Sequence, residues 1–260
     1  MPRLAQELVL IALAALVYGG VRAVTEQSVA QAVSNGRALL RLEQHLGLAW
    51  EAAFQDAIID HSWLVTLANW MYIFGHWPVI AAVAAFLYAR RRESYRLLRD
   101  AVFVSGAIGF AFFALLPVAP PRLIDAGLVD TVVERSHAYR ALQPSALTNE
   151  YAALPSLHFG WNLLVGIVLF SLTSNVLVKL FAVAMPAAMA FSVVATANHY
   201  VLDVFVAAIV VTVGLLVSRR LHRETAATLV GDEIRLSRRR DPSLPRRASR
   251  RKRPRPAALR

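Results

Sequence analysis

The sequence predicts an all-α protein: a polytopic membrane helical bundle of about six transmembrane helices with an amphipathic helix on its outer side. Three observations carry this. Hydrophobic residues make up 57% of the 260 and charged residues 17%, against roughly 45–50% and about 25% in soluble domains. Mean hydropathy is +0.48. Four stretches, 61–89, 101–121, 152–178 and 180–202, contain no Asp, Glu, Lys or Arg. A helix crosses the bilayer with about 20 mostly apolar residues, and each stretch is long enough.

The first span covers 4–24, with Glu7 and Arg22 near its ends. Arg3 ahead of an apolar run also fits a signal peptide. No small-x-small cleavage site follows and more spans come later, so the segment reads as a retained anchor. Within 25–60, Leu39, Leu40, Leu42 and Leu46 alternate with Arg37, Arg41 and Glu43. That pattern suits a helix lying on the outer membrane surface, or equally one packed on neighbouring loops. Residues 61–89 form the second span and 101–121 the third, which Pro117, Pro120 and Pro121 terminate. The stretches 152–178 and 180–202 supply the fourth and fifth. A last span runs from about 199 to 218, with Asp203 its only charge. The chain therefore divides into an anchor and outer amphipathic segment (1–60), a transmembrane bundle (61–218) and a basic tail (219–260). The tail is rich in Arg, Pro and Ser from 230 and is expected to be disordered.

The net charge of +11 resides in that tail, where 15 Lys+Arg face 4 Asp+Glu; the rest of the chain has 13 of each. The body thus has no basic face for nucleic acid, and the tail's expected partner is anionic inner-leaflet lipid. Basic residues divide 22 to 6 between the two sides of a six-span topology. By the positive-inside rule both termini are cytoplasmic in the cell membrane, and 25–60 and 122–151 face outward. Cysteine is absent, which excludes disulfides, thiolate metal sites and thiol nucleophiles.

Ionisable groups inside a membrane are costly and usually functional. Asp203 follows His199 by four residues, so the two share a helix face. The carboxylate can hold one imidazole nitrogen protonated and leave the other as base or nucleophile, or the pair can serve only to hold helices together. In Pro155-Ser156-Leu157-His158, Ser156 is a candidate N-cap. His158 then lies in a first turn whose free N–H groups attract an anion. Arg122 follows Pro120 and Pro121 at headgroup depth. Its planar fork suits a phosphate, although an Arg at a span end can also simply snorkel. Arg122, His158, His199 and Asp203 all fall at outer span ends, a phosphoryl-transfer constellation. Trp63, Trp70, Tyr72, His76 and Trp77, with Tyr151 and Tyr200, are candidates for lining an acceptor pocket, or for an interfacial aromatic belt.

These motifs resemble the type 2 phosphatidic acid phosphatase superfamily, whose pattern is K-x6-R-P, P-S-G-H and S-R-x5-H-x3-D. Here Pro155-Ser156-Leu157-His158 matches the second motif and His199-x3-Asp203 the third, within roughly 60–218. Leu115 stands where the first motif has Lys, and Val193 where the third has Arg. His199-Tyr200-Val201-Leu202-Asp203-Val204 and Ala119-Pro120-Pro121-Arg122 are similar to the inositol-phosphoryl-ceramide synthase and sphingomyelin synthase branch and its bacterial inositolphosphotransferase-like relatives. The resemblance implies a lipid phosphotransferase working through a phosphohistidine on His199. Asp203 would orient His199, His158 would act as acid and base, and Arg122 and Ser156 would hold the phosphate. It implies no metal and no other cofactor, and a membrane lipid as substrate. With water as acceptor, the same residues make a lipid- or polyprenyl-phosphate phosphatase. Two readings outside this remain: a haem protein using His158 and His199 as axial ligands, and a degenerate membrane scaffold or lipid carrier.

Overall fold

The computed structural model describes residues 4–135 and 149–240, with side chains as far as Arg223. Among the described residues the regular structure is helical, with no strand and a single parallel bridge between Val118 and Ala152. In chain order the helices are α1 (Leu4–Glu26), α2 (Val29–Leu46), α3 (Glu51–Ile59), α4 (Ser62–Phe74), α5 (Trp77–Arg90) and α6 (Arg92–Leu115). After a 3₁₀ turn at Pro121–Leu123 come α7 (Thr131–Arg135), α8 (Leu157–Leu172), α9 (Val176–Ala195) and α10 (Val201–Arg240).

Four segments are long and apolar enough to cross a membrane: α1, α6, α9 and Val201–Arg223 of α10. Together α4 and α5 make a fifth, bent by 45° at Gly75 and His76. The expected sixth span is α8, which is apolar but has only 16 residues. That is about 24 Å of helix, short of the roughly 30 Å hydrocarbon core. The charge-free stretch 152–178 looks longer because both its ends are loop. Ala153 N–H donates to Val118 O at one end. At the other, Asn175 Oδ1 accepts from Leu177 N (2.9 Å) and Val178 N (3.3 Å), starting α9 afresh.

Central in the bundle, α8 packs on α5, α6 and α9. Trp161 Nε1 donates to Ser105 Oγ of α6 at 3.2 Å. Gly166 lets α9 approach until a Cβ there would lie 2.3 Å from Ala182 O. Small residues at such crossings permit the close backbone packing that holds membrane helices together. In contrast α1 lies at the edge, packed chiefly on α6. Arg99 Nη1 and Tyr95 Oη donate to Glu7 at 2.6 and 2.8 Å, and Tyr18 packs on Phe110. Leu8, Ile11, Leu13 and Leu16 are more than half exposed, as suits contact with lipid.

Of the two placements open to the amphipathic segment, α2 takes the loop-packed one. Ala119 N–H donates to Ala32 O, and Asn35 Nδ2 to Pro117 O at 2.8 Å. Gly36 sits so close that a Cβ would be 2.6 Å from Ala119 O and 2.8 Å from the Tyr200 hydroxyl. Leu39 and Leu40 pack inward on Val118, Ala119 and Ile124.

The chain divides into two compact units, Met1–Arg219 and Arg220–Arg260. The first holds every candidate site residue. In the second the backbone is helical as far as Arg240, and the rest of the tail for which disorder is expected lies outside the described residues.

Overpacking a tight core typically costs about 1–3 kcal/mol. Gly166→Val should therefore lower the melting temperature of the detergent-solubilised protein by at least about 5 °C. Gly19→Val is the comparison, since nothing lies within 4 Å of a Cβ there. It should leave the melting temperature within about 2 °C. Equal effects would show that the α8–α9 approach is not tight.

Candidate active site

Two helices, α8 and α10, start beside one another. The first N–H groups of a helix have no partner inside it, and in an apolar setting they must find one elsewhere. Ser156 N–H donates to Asp203 O at 3.2 Å, which ties the two starts together. Ser156 Oγ accepts from Phe159 N at 3.4 Å, the expected N-cap. At the start of α10, three successive N–H groups meet three carboxyl groups. Tyr200 N donates to Asp203 Oδ2 (2.9 Å), Val201 N to Glu51 Oε1 (3.0 Å) and Leu202 N to Glu43 Oε1 (2.7 Å). The connector from α9 turns through Ala197, a non-glycine residue at φ 58°. Such left-handed backbone costs on the order of 1–2 kcal/mol and persists where surrounding contacts fix it. Arg122 N–H supplies one of those contacts, donating to Ala197 O at 3.1 Å.

This turn presents His199. Its Nδ1 lies 2.8 Å from Ala153 O and 3.2 Å from Asp203 Oδ2. Both neighbours are acceptors, so Nδ1 is the protonated nitrogen that donates, and Nε2 keeps its lone pair. Asp203 is wholly buried and His199 is 5% exposed. Across from it, the His158 ring centre is 6.0 Å away with the planes at 55°. His158 is itself stacked on Tyr72 at 4.5 Å and lies 4.4 Å from His76. Asn162 Nδ2 donates to His158 O at 2.8 Å. The bend between α4 and α5 is what turns His76 inward.

Arg122 does not snorkel: its side chain is 6% exposed. Nε donates to Asn198 Oδ1 at 3.1 Å and Nη1 to Asp130 Oδ2 at 2.9 Å. The guanidinium is thus fixed beside the His199 turn and partly neutralised by Asp130.

The expected acceptor-lining residues separate. Tyr72 and His76 are buried against His158, whereas Trp63, Trp70 and Trp77 are 65%, 57% and 57% exposed. Trp77 still touches His76 and Trp161 with one edge. Tyr200 is fully buried and its hydroxyl donates to Ala119 O at 2.9 Å. Tyr151 is half-buried on the same cluster, and its N–H donates to Asn149 Oδ1. Leu115, at the Lys position of the first motif, is 81% exposed on the apolar flank, and Val193 is buried in the core.

Sequence reasoning missed Glu43, Glu51, Asn162 and Asn198. Glu43 and Glu51 look like the polar side of short amphipathic helices. Asn198 and Asn162 carry no motif, and only their adjacency to His199 and spacing of four from His158 mark them.

His158, His199 and Asp203 thus meet where α8 and α10 start, with Arg122 of the 3₁₀ turn fixed beside them, in a bundle that has several helices long and apolar enough to cross a membrane. The chain belongs to the PAP2 superfamily, whose family model matches residues 37–217. Among solved structures, it is similar in fold to the crystal structure of Aquifex aeolicus LpxE. The TM-score is 0.50 at 16% identity, covering 66% of this chain and 94% of that one. Comparison with curated proteins gives no match.

Arg122→Lys keeps the charge but cannot reach Asn198 and Asp130 with a planar fork. It should lower kcat/KM on a lipid phosphate at least about tenfold, or ~1.4 kcal/mol. Unchanged turnover would make Arg122 a loop clasp with no role in phosphate binding.

Proposed function

We propose that the protein is a lipid phosphotransferase of the inositol-phosphoryl-ceramide and sphingomyelin synthase type. It would move a phospho-headgroup from a lipid to a hydroxyl acceptor through a phosphohistidine. The observation that carries this is the His199–Asp203 pair: Nδ1 is held by two acceptors, Nε2 is left to react, and His158 stands 6.0 Å across. In the first step His199 Nε2 attacks phosphorus, and the bond to the leaving oxygen breaks as protonated His158 gives that oxygen its proton. In the second, neutral His158 takes the proton of the acceptor hydroxyl. The acceptor oxygen bonds phosphorus, and the P–N electron pair returns to Nε2. Dividing the transfer in two lowers each barrier. Asp203 balances the charge that develops on His199, and Arg122 and the N–H groups at the start of α8, capped by Ser156, stabilise the phosphoryl oxygens.

Charge favours transfer over hydrolysis of a monoester. The two motif cations are replaced by Leu115 and Val193, and Arg122 shares its charge with Asp130. Such a site balances a singly charged phosphodiester better than a doubly charged phosphomonoester. Tyr72 and His76 beside His158 offer a wall for an acceptor larger than water.

The deciding experiment supplies purified protein with a labelled phosphodiester lipid and, in turn, water, inositol or a long-chain alcohol. Headgroup transfer to an alcohol is the expected outcome. Release of free phosphate from monoesters as the dominant reaction would make it a phosphatase instead. In the same assay His199→Ala should abolish turnover and phosphoenzyme. Asp203→Asn should be severe, its serine-protease counterpart costing about 10⁴. His158→Ala should be mildest on a nitrophenyl leaving group, which needs little protonation. Normal turnover by folded His199→Ala would overturn the covalent role.

For orientation we take both termini as cytoplasmic, with the basic tail on anionic lipid and the site on the extracytoplasmic side, because basic residues divide 22 to 6. Cysteines placed at Ser136 and Ser237 should label from opposite faces, Ser136→Cys from outside. Labelling of both from outside would overturn this orientation.

A further inference from the structure

We propose that Glu43 and Glu51 form a proton-sharing carboxyl pair that fixes the first turn of α10 and thereby positions Asp203 against His199. Neither belongs to the family motifs, and they arrive from two different helices, α2 and α3. Glu43 is wholly buried and Glu51 is 2% exposed. Each spends one oxygen on a backbone donor of α10, Glu43 on Leu202 and Glu51 on Val201. The next residue is Asp203, whose Oδ2 caps Tyr200 in the same fashion. The position of the His199–Asp203 pair is thus set by three adjacent carboxyl contacts.

Three buried carboxylates at one helix start would repel one another. Glu43 Oε2 is buried with no donor to it among the described residues, and Glu43 and Glu51 meet the adjacent N–H groups of Leu202 and Val201, which brings the two carboxyls side by side. A bond between two carboxyls requires a proton on one of them. Burial, with Glu51 and Asp203 adding to it and the Leu202 N–H opposing, pushes Glu43 up to about 9. The groups facing it are Glu51 from α3 and Tyr200 and Asp203 from the α10 start. The pair therefore keeps a proton at neutral pH.

The folded-state value lies above the unfolded one, near 4.5. The stabilisation is complete below about pH 4.5 and is lost as pH rises towards 9. The experiment compares wild type, Glu43→Ala and Glu43→Gln in melting temperature from pH 5 to 9.5 and in kcat and KM. Gln keeps an oxygen for Leu202 N–H and an N–H₂ for Glu51 but cannot ionise. Glu43→Ala should lower kcat at least about tenfold with KM within about threefold, and Gln should restore most of it. The wild-type melting temperature should fall with pH more steeply than that of Glu43→Gln. Equal slopes, or Gln as damaging as Ala, would overturn the shared proton. Unchanged kcat in Glu43→Ala would overturn the positioning role. The turnover arm rests on the proposed transfer reaction. The melting arm does not, so inactivity of every form leaves the pair decided by its pH slope.

Discussion

Unpaired backbone donors at the start of a buried helix dominate this molecule. Where α10 begins, three N–H groups in succession need acceptors from outside their own helix. The chain meets them with carboxyl groups from α2, α3 and α10 itself. Because one of the three is Asp203, satisfying the helix start also places the carboxyl partner of His199. The neighbouring start, that of α8, is drawn in by the Ser156–Asp203 backbone bond. His158 and His199 face one another because two helix ends share their hydrogen bonds.

The loops around the site are held by the same economy of buried polar groups. Gln55 donates to Val129 O (2.9 Å) and Ala195 O (3.2 Å) and accepts from Val129 N. Asn69 and Thr131 exchange two bonds between α4 and α7. Each link pairs a group that would cost about 1–3 kcal/mol if left buried and alone. Arg122, between Asp130 and Asn198, completes this lattice. Arg122 is thereby held on two sides, and charge that is already in place is what stabilises a transition state without reorganisation.

Much of this was legible in the sequence and some was not, for separable reasons. Charge-free stretches and prolines marked the spans well, because the bilayer imposes composition directly. They overstated α8, since uncharged loop such as 152–156 has the same composition as uncharged helix. The His199–Asp203 spacing specified its own geometry through the helical repeat. Ser156 read correctly as a cap because capping is local chemistry. For Tyr200, adjacency to His199 says nothing of side-chain direction: its hydroxyl bonds to Ala119 O. Arg122 could be read as clamp or snorkel until Asp130 and Asn198 were seen in reach. Glu43 was hidden because a polar residue on an amphipathic helix ordinarily faces water, and only tertiary packing reverses that.

The Glu7–Arg99 ion pair has a consequence for how the protein is made. Its two members are 92 residues apart, and ribosomes add about 5–20 residues per second. Glu7 therefore waits roughly 5–20 s in the bilayer before its partner exists. During that interval α1 has neither Arg99 nor Tyr95 to hold it. The seat of α1 against α6 can therefore be taken only after Tyr95 and Arg99 have been made, while α8, α9 and α10 are still to come.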